Sequence, residues 1–429
     1  MLDRTQQPPV APIEKISITQ PEKRIMPNGI PLNMVNAGEQ EVVRLDLIFG
    51  GGKWQQTQVL QALFANRMLR EGSRMFTSKQ IAEKLDYYGA WLELSAAFEC
   101  TYLTLYSLNK YFEQTLSVIE SILKEPTFPE KELSTVVDAN RQQFLVNSAK
   151  VDVIAQKNYL CSIFGPGHPC SHYAEVEDFG KITPDVLKEF HNRYYHSGNC
   201  SAYLAGKVTD EVIIALENTL GTSSWGNVSS GKSVSTSFAI EPLKDKRIFL
   251  ERPDAMQSSI KMGAPMMERT NPDYLKMRVL MTIFGGYFGS RLMSNIREDK
   301  GYTYGIAAGI GFYSGSGIFT VSTEAANEYT ENIVKEVYHE INRLQTELVP
   351  QKELEMVRSY MLGDMCRSYE GPFSLSDAWM FIDVNHLDAD YFQRSLEAVR
   401  NVTPAELRDL ACKYIHKESL IEVIAGKKV

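Results

Sequence analysis

The chain has 429 residues, 44% hydrophobic and 23% charged, with a net charge of −8. This is the composition of a folded globular protein with room for two large domains or about three average ones, and it excludes fibrous and wholly disordered classes. The acidic balance and the lack of any Lys/Arg block exclude an electrostatic nucleic-acid or anionic-membrane footprint, and no apolar run approaches the ~18–20 residues that span a bilayer.

The first residues, "MLDRTQQPPVAPIEK", lack the apolar centre of a secretion signal and read as a loose polar arm over 1–23. That favours the cytoplasm and leaves the periplasm open. "VVRLDLIFGG" (42–51) alternates like a strand that ends at glycines, and 57–70 carries apolar residues at helical spacing before Gly72. "TSKQIAEKLDYYGA" opens with Thr77 and Gln80 in capping-box spacing and stops at Gly89, which predicts a helix. "AWLELSAAFECTYLTLYSL" (90–108) then alternates as a pair of strands, and "YFEQTLSVIESILKE" (111–125) returns to helical period ahead of Pro126.

Six cysteines, at 100, 161, 170, 200, 366 and 412, are scattered without CxxC pairs, so isolated thiols are expected rather than a zinc ribbon or a disulfide framework. Only "HPCSH" (168–172) brings two histidines and a cysteine together. Pro169 opposes a regular helix there, which leaves a structural loop and a metal site as the two readings. Further on, "GSRLMSNIREDKG" (289–301) reads as a helix capped by Ser290 and closed by Gly301, with Arg297 near its last turn, and "YTYGIAAGI" (302–310) as the strand that follows.

The two halves repeat. "VLQALFAN" at Val59 meets "VLMTIFGG" at Val279, "FPEKEL" at Phe128 meets "VPQKEL" at Val349, and "ITPDVLKEFHNRYY" at Ile182 meets "VTPAELRDLACKYI" at Val402, always at an offset of 220 or 221. "LAGKV", ending at Val208, returns as "IAGKKV" at the C-terminus. Ordered matches at a near-constant offset imply two homologous domains, not a solenoid of short repeats. The predicted organisation is a polar arm (1–23), a first domain (24–220), a Ser/Gly-rich linker (221–242) and a second domain (243–429). The predicted fold class is α+β, each half a sandwich of an antiparallel-rich sheet with helices.

With "RYYHSGNCSAYLAGKV" (193–208) and "FGSRLMSNIREDKGYTYGI" (288–306), this layout resembles the two-domain form of the pitrilysin or insulinase-like zinc peptidases, the inverzincins, from about Arg24 to Val429. Active members carry H-x-x-E-H on a first-domain helix. Residues i and i+4 share one helix face, so two imidazoles grip a zinc ion while the Glu serves as base to its water. Aligned on "LFANRMLREGS" (63–73), Leu63, Asn66 and Arg67 stand where the family has His, Glu and His, and Gln143 of "DANRQQF" stands near the third ligand. "IFGGYFG" (283–289), the matching second-half stretch, offers no ligands either. The resemblance therefore implies no metal in this chain and a zinc ion in a partner.

The family's Arg/Tyr element, which contacts substrate near the scissile bond, falls on Arg297 and Tyr304. A guanidinium donates two fixed hydrogen bonds to a peptide carbonyl or carboxylate, and a phenol donates one to a developing oxyanion. The alternative is an Arg that stabilises its own helix terminus and a Tyr that fills the core. The strand "LELSAAFEC" (92–100) matches the family's edge strand for extended substrate, with small Ser95, Ala96 and Ala97 leaving room for a peptide; an ordinary sandwich strand is the alternative.

What the resemblance implies is a non-catalytic, substrate-binding subunit of a heteromeric zinc peptidase. A zinc-bearing homologous subunit would be its partner, an extended or unfolded peptide its substrate, and a homodimer is possible when the chain is alone. A purely structural pseudo-peptidase, like the core subunits of respiratory complexes, is the second reading, and a self-sufficient hydrolase with another site the third.

Overall fold

A computed structural model describes residues 4–6, 13, 16, 18–232, 238–313 and 315–429. Much of the expected arm and residues 233–237 of the expected linker lie outside the described residues. The first half runs β1 (Glu22–Ile25), β2 (Pro31–Asn36), β3 (Val42–Gly50), α1 (Gln61–Arg67), α2 (Ser78–Tyr87), β4 (Trp91–Ala96), β5 (Cys100–Leu108), α3 (Phe112–Lys124), α4 (Glu130–Ser148), α5 (Val151–Phe164), α6 (Pro184–Tyr194), β6 (Cys200–Gly206) and α7 (Asp210–Leu216). The second runs β7 (Arg247–Glu251), β8 (Gln257–Met266), α8 (Tyr274–Met281), β9 (Thr303–Tyr313), β10 (Ser316–Ala326), α9 (Thr330–Thr346), α10 (Gln351–Ser368), α11 (Pro372–Val384), α12 (Tyr391–Asn401), α13 (Pro404–Tyr414) and β11 (Ile421–Gly426). No helix among the described residues is long and apolar enough to cross a membrane.

Each half builds one sheet from its own strands, in the orders β1-β2-β6-β3-β5-β4 and β7-β11-β8-β10-β9. One pair in each, β2–β6 and β7–β11, is parallel and the rest are antiparallel. The α+β sandwich class is what the structure shows. Local signals account for much of this. Thr77 and Gln80 form the capping box of α2, and Thr403 and Glu406 form that of α13.

Two local expectations fail. The first helix begins at Gln61 rather than near residue 57, because Leu60 takes a positive φ of 74° and the Gln61 side chain folds back to accept from the Thr57 N–H at 2.8 Å. The arm is not wholly loose. Ile16 and Ile18 pack on the second half's core, and Trp379 Nε1 and Arg400 Nη2 donate to the carbonyls of Thr19 and Ile13 at 2.8 and 2.7 Å. Apolar contact and two backbone carbonyls anchor it there.

The halves are joined by exchanged helices. α5 packs on β8 and β11 of the second sheet, while α11, its counterpart, packs on β6 and β2 of the first. The α5 seam is apolar, with Tyr159, Ile163 and Phe164 meeting Ile318, Ile421 and Val423. Buried Tyr159 donates its hydroxyl to the Phe319 carbonyl at 2.8 Å and lies 2.9 Å from Thr320 Oγ1. Gly263 permits this, since a Cβ there would sit 2.0 Å from the Tyr159 hydroxyl. The α11 seam adds polar contacts to a small apolar cluster of Val35, Ala205 and Leu375: buried Arg44 binds Asp46 at 2.8 Å and reaches Asp377 of α11 at 2.6 Å, and the Tyr203 hydroxyl bonds Asp383.

Losing one partner of a buried pair leaves an uncompensated charge, so Arg44→Met should cost about 3–5 kcal/mol, whereas Tyr159→Phe, which removes a hydrogen bond between neutral groups, should cost about 1 kcal/mol. Urea midpoints of both variants check the ranking. Equal losses would mean that Asp46 is stabilised without Arg44.

Candidate substrate-binding site and degenerate zinc position

α1, α4 and β4 bring the expected zinc positions and the expected peptide edge together. Leu63 is half-buried and carries no donor atom. Asn66, at the general-base position, is buried and committed: its Nδ2 donates to the Tyr102 carbonyl at 3.2 Å and to the Tyr195 hydroxyl at 2.9 Å. Burial pushes the Tyr195 phenol up to about 12, so it stays neutral, stacked on His191 with ring centroids 5.1 Å apart. Arg67 is exposed and donates to Asn140 Oδ1 on α4, while Gln143, one turn further on, is exposed.

An apolar side chain, a cation and a neutral amide do not fit a zinc ion. The Arg67–Asn140 hydrogen bond links α1 to α4. Sequence spacing pointed to Gln143 and missed Asn140. One turn earlier on the same helix face was the available signal.

Beside α1, β4 is an edge strand, hydrogen-bonded only to β5. Arg70 Nη2 takes the Leu92 carbonyl at 3.1 Å. Ser95 and Ala96 lie on β4, but Ala97 lies past its end, with its N–H donating to the Cys100 carbonyl at 2.8 Å and its carbonyl accepting from Lys53 at 3.0 Å. Ala97 therefore offers a peptide no free backbone group.

"HPCSH" forms a loop. His168 Nδ1 accepts from the Cys170 N–H at 3.1 Å, its ring stacks on Phe164 at 4.5 Å, and His172 is exposed. No cluster of three or more metal-ligating side chains occurs among the described residues, and all six cysteines are unpaired.

The second half carries the Arg/Tyr element on a helical turn and an edge strand. The segment from Arg291 is a π-helical turn over Met293–Asp299, and Ser290 does not cap it. Its buried hydroxyl has no partner; the turn is closed by the Ser294 N–H on the Ser290 carbonyl at 2.9 Å. Gly301 ends the turn as expected, with φ of 66° and its N–H on the Arg297 carbonyl.

Arg297 lies 4.4 Å over the Phe288 ring, and its Nε donates to the Tyr304 carbonyl at 3.1 Å. Tyr304 is the second residue of edge strand β9 and is 94% exposed. A bulge causes this: Ile306 pairs with Thr323 and Thr303 with Ala325, so Tyr304 and Gly305 together oppose Glu324. Thr303 and Thr323 pin it, their hydroxyls 2.9 Å apart and bonded to the Glu324 and Gly305 carbonyls at 2.6 and 2.8 Å. Neither Phe288 nor this threonine pair stood out in the sequence.

A family model described as "Insulinase (Peptidase family M16)" matches residues 35–163, and one described as "Peptidase M16 inactive domain" matches residues 181–361. The chain belongs to the M16 peptidase family. Among its relatives, the "Non-peptidase homolog YmxG" of Helicobacter pylori is 24% identical over 96% of this chain and 92% of its own length, and an "Uncharacterized zinc protease" of Rickettsia felis is 23% identical over 80% and 82%. Among solved structures, a peptidase M16 inactive domain from Pseudomonas fluorescens superposes with a TM-score of 0.85 at 23% identity, covering 95% of this chain and 98% of that one. A chain of Complex III2 from Candida albicans superposes at 0.72 and 13% identity, covering 94% and 95%. With its zinc positions filled as described, this chain is a non-catalytic M16 member.

Two measurements follow from this geometry. Metal analysis of the dialysed chain should find no stoichiometric zinc, and one tightly held ion per chain would return attention to the His168–His172 loop. Stability should also fall in acid. His191 is buried, Nε2 donates to the Leu123 carbonyl at 2.9 Å, and burial holds its pKa down to about 4. Between about 4 and 6.5 the unfolded chain binds a proton that the native one refuses, so stability is present at neutral pH and declines below about 6.5, by up to roughly 1.4 kcal/mol per pH unit from this group. His191→Gln should flatten that slope in urea melts at pH 5 and 7.

Proposed function

We propose that this chain is the substrate-holding half of a two-subunit M16 peptidase whose zinc ion is carried by a homologous partner. The observation that carries the reading is Tyr304: an aromatic side chain 94% exposed, turned outward by a pinned bulge, beside an Arg whose guanidinium makes one described hydrogen bond and a loose 3.8 Å contact with Glu298. Core packing does not explain so exposed a ring.

The surfaces around it support the same reading. α4 buries only Leu133 completely and leaves Leu145 and Val146 exposed, and its counterpart α10 exposes Met356 and Tyr360. Exposed apolar groups on matching helices of both halves are what a partner or a chamber wall requires. The edges of β4 and β9 offer backbone groups to an extended peptide. In the complex, Arg297 would orient a peptide carbonyl while the Tyr304 hydroxyl donates to the oxyanion that develops at the partner's zinc. The second reading, a structural pseudo-peptidase, is favoured by the filled zinc positions alone.

Reconstitution with an H-x-x-E-H-bearing homologue from the same cell should produce chelator-sensitive cleavage of unfolded polypeptide that the pure chain lacks. Within that complex, Arg297→Ala and Tyr304→Phe should each lower kcat by roughly 10²–10³ at unchanged Tm. Unchanged kcat in both variants would remove the assignment. Failure of the two chains to associate would favour the structural reading.

A further inference from the structure

A second cluster of arginines lies away from this element. Between β8 and α8 the chain places Arg269, whose guanidinium is clamped between the rings of Phe312 and Phe381, 4.0 and 4.7 Å from their centroids. The clamp fixes the plane of the group. Among the described residues Arg269 has no hydrogen bond and no ion pair, and its Nε is buried without a partner. Arg278 of α8 shares the same groove of about 480 Å³ and makes one side-chain bond, Nη1 to Ser395 Oγ at 3.0 Å.

Among the described residues no carboxylate close by pairs with either arginine: Glu268 is exposed and accepts from the Thr270 hydroxyl at 3.5 Å. Asp377 on the groove wall binds Arg44 at 2.6 Å, and Asp364 near its end binds Arg367 at 2.6 Å. Burial works against the charge of Arg269; Tyr274 and Tyr391 offset part of that, and the like charge of Arg278 adds to the cost. Two partly buried guanidiniums that repel each other and lack a counter-ion form an incomplete electrostatic arrangement. Ser368, Ser374 and the tyrosines supply further donors, while Phe381 and Phe392 supply an apolar wall.

We propose that this groove binds an oxyanion, the carboxylate or phosphate of a small molecule with an apolar body, through paired contacts from Arg269 and Arg278. The planar fork of a guanidinium matches two oxygens of such a group, and a clamped guanidinium loses little freedom on binding. Neither α1 nor Tyr304 lines the groove, and the proposal stands without the peptidase-subunit reading.

Titration calorimetry on the full chain alone tests it, with inorganic phosphate, acetyl-Ala-Phe as the free acid, and the same dipeptide amidated. The free acid should bind at least tenfold more tightly than the amide, weaken as salt rises, and lose at least tenfold in affinity in R269M and in R278M. Phosphate binding that depends on both arginines, with no preference for acid over amide, assigns the site to phosphate. If R269M does not fold, R278M and the charge-retaining R269K carry the test. No saturable binding of phosphate or acid to the wild-type chain, or binding unchanged in both Met variants, overturns the proposal.

Discussion

The exchange of α5 and α11 is the constraint on which the molecule depends. Neither sheet covers its outer face with helices from its own half alone; each borrows one from the other. Tyr159 therefore bonds a strand 160 residues away, and Arg44 reaches a carboxylate 333 residues away. The two halves cannot separate without exposing apolar surface at one seam and a buried ion pair at the other. That fixes β4 and β9, one edge strand of each sheet, on one frame. An extended peptide could then be held at two places whose spacing is set by the fold.

Loss of catalysis did not require loss of the frame. α1 is tied here by Asn66 to the Tyr102 carbonyl and the Tyr195 hydroxyl, and by Arg67 to Asn140 of α4. Hydrogen bonds between neutral or singly charged groups hold these elements, and the edge strand β4 packs beside α1. The frame thus outlasts the chemistry, because a helix needs a neighbour and not a particular ion. A bulge pinned by two threonines keeps Tyr304 outside, where the proposed contact with a peptide requires it.

Much of this was legible in the sequence because it is written in local chemistry or in repetition. The capping box at Thr77, the alternation of residues 90–108 and the offset of 220 pointed to the elements and to the two-sheet α+β architecture. Other features depend on contacts between distant segments. The π-helical turn at 293–299, which leaves the Ser290 hydroxyl without a partner, has no periodicity of its own. The bulge at Tyr304 arises from register against β10, and the Phe312–Arg269–Phe381 clamp joins three elements. Spacing alone shows none of these, and the two arginines without a carboxylate emerge only once the ion pairs of Asp377 and Asp364 are seen.

The most direct measurement is photocrosslinking from position 304. With a photoreactive phenylalanine analogue in place of Tyr304, the chain is assembled with its zinc-bearing homologue, given an unfolded polypeptide, irradiated, and the adducts mapped by mass spectrometry. Adducts on the polypeptide, suppressed by excess unlabelled substrate, are the result expected if Tyr304 faces bound peptide. Adducts confined to the partner subunit, insensitive to added polypeptide, would make this face an assembly surface and contradict the substrate-holding role.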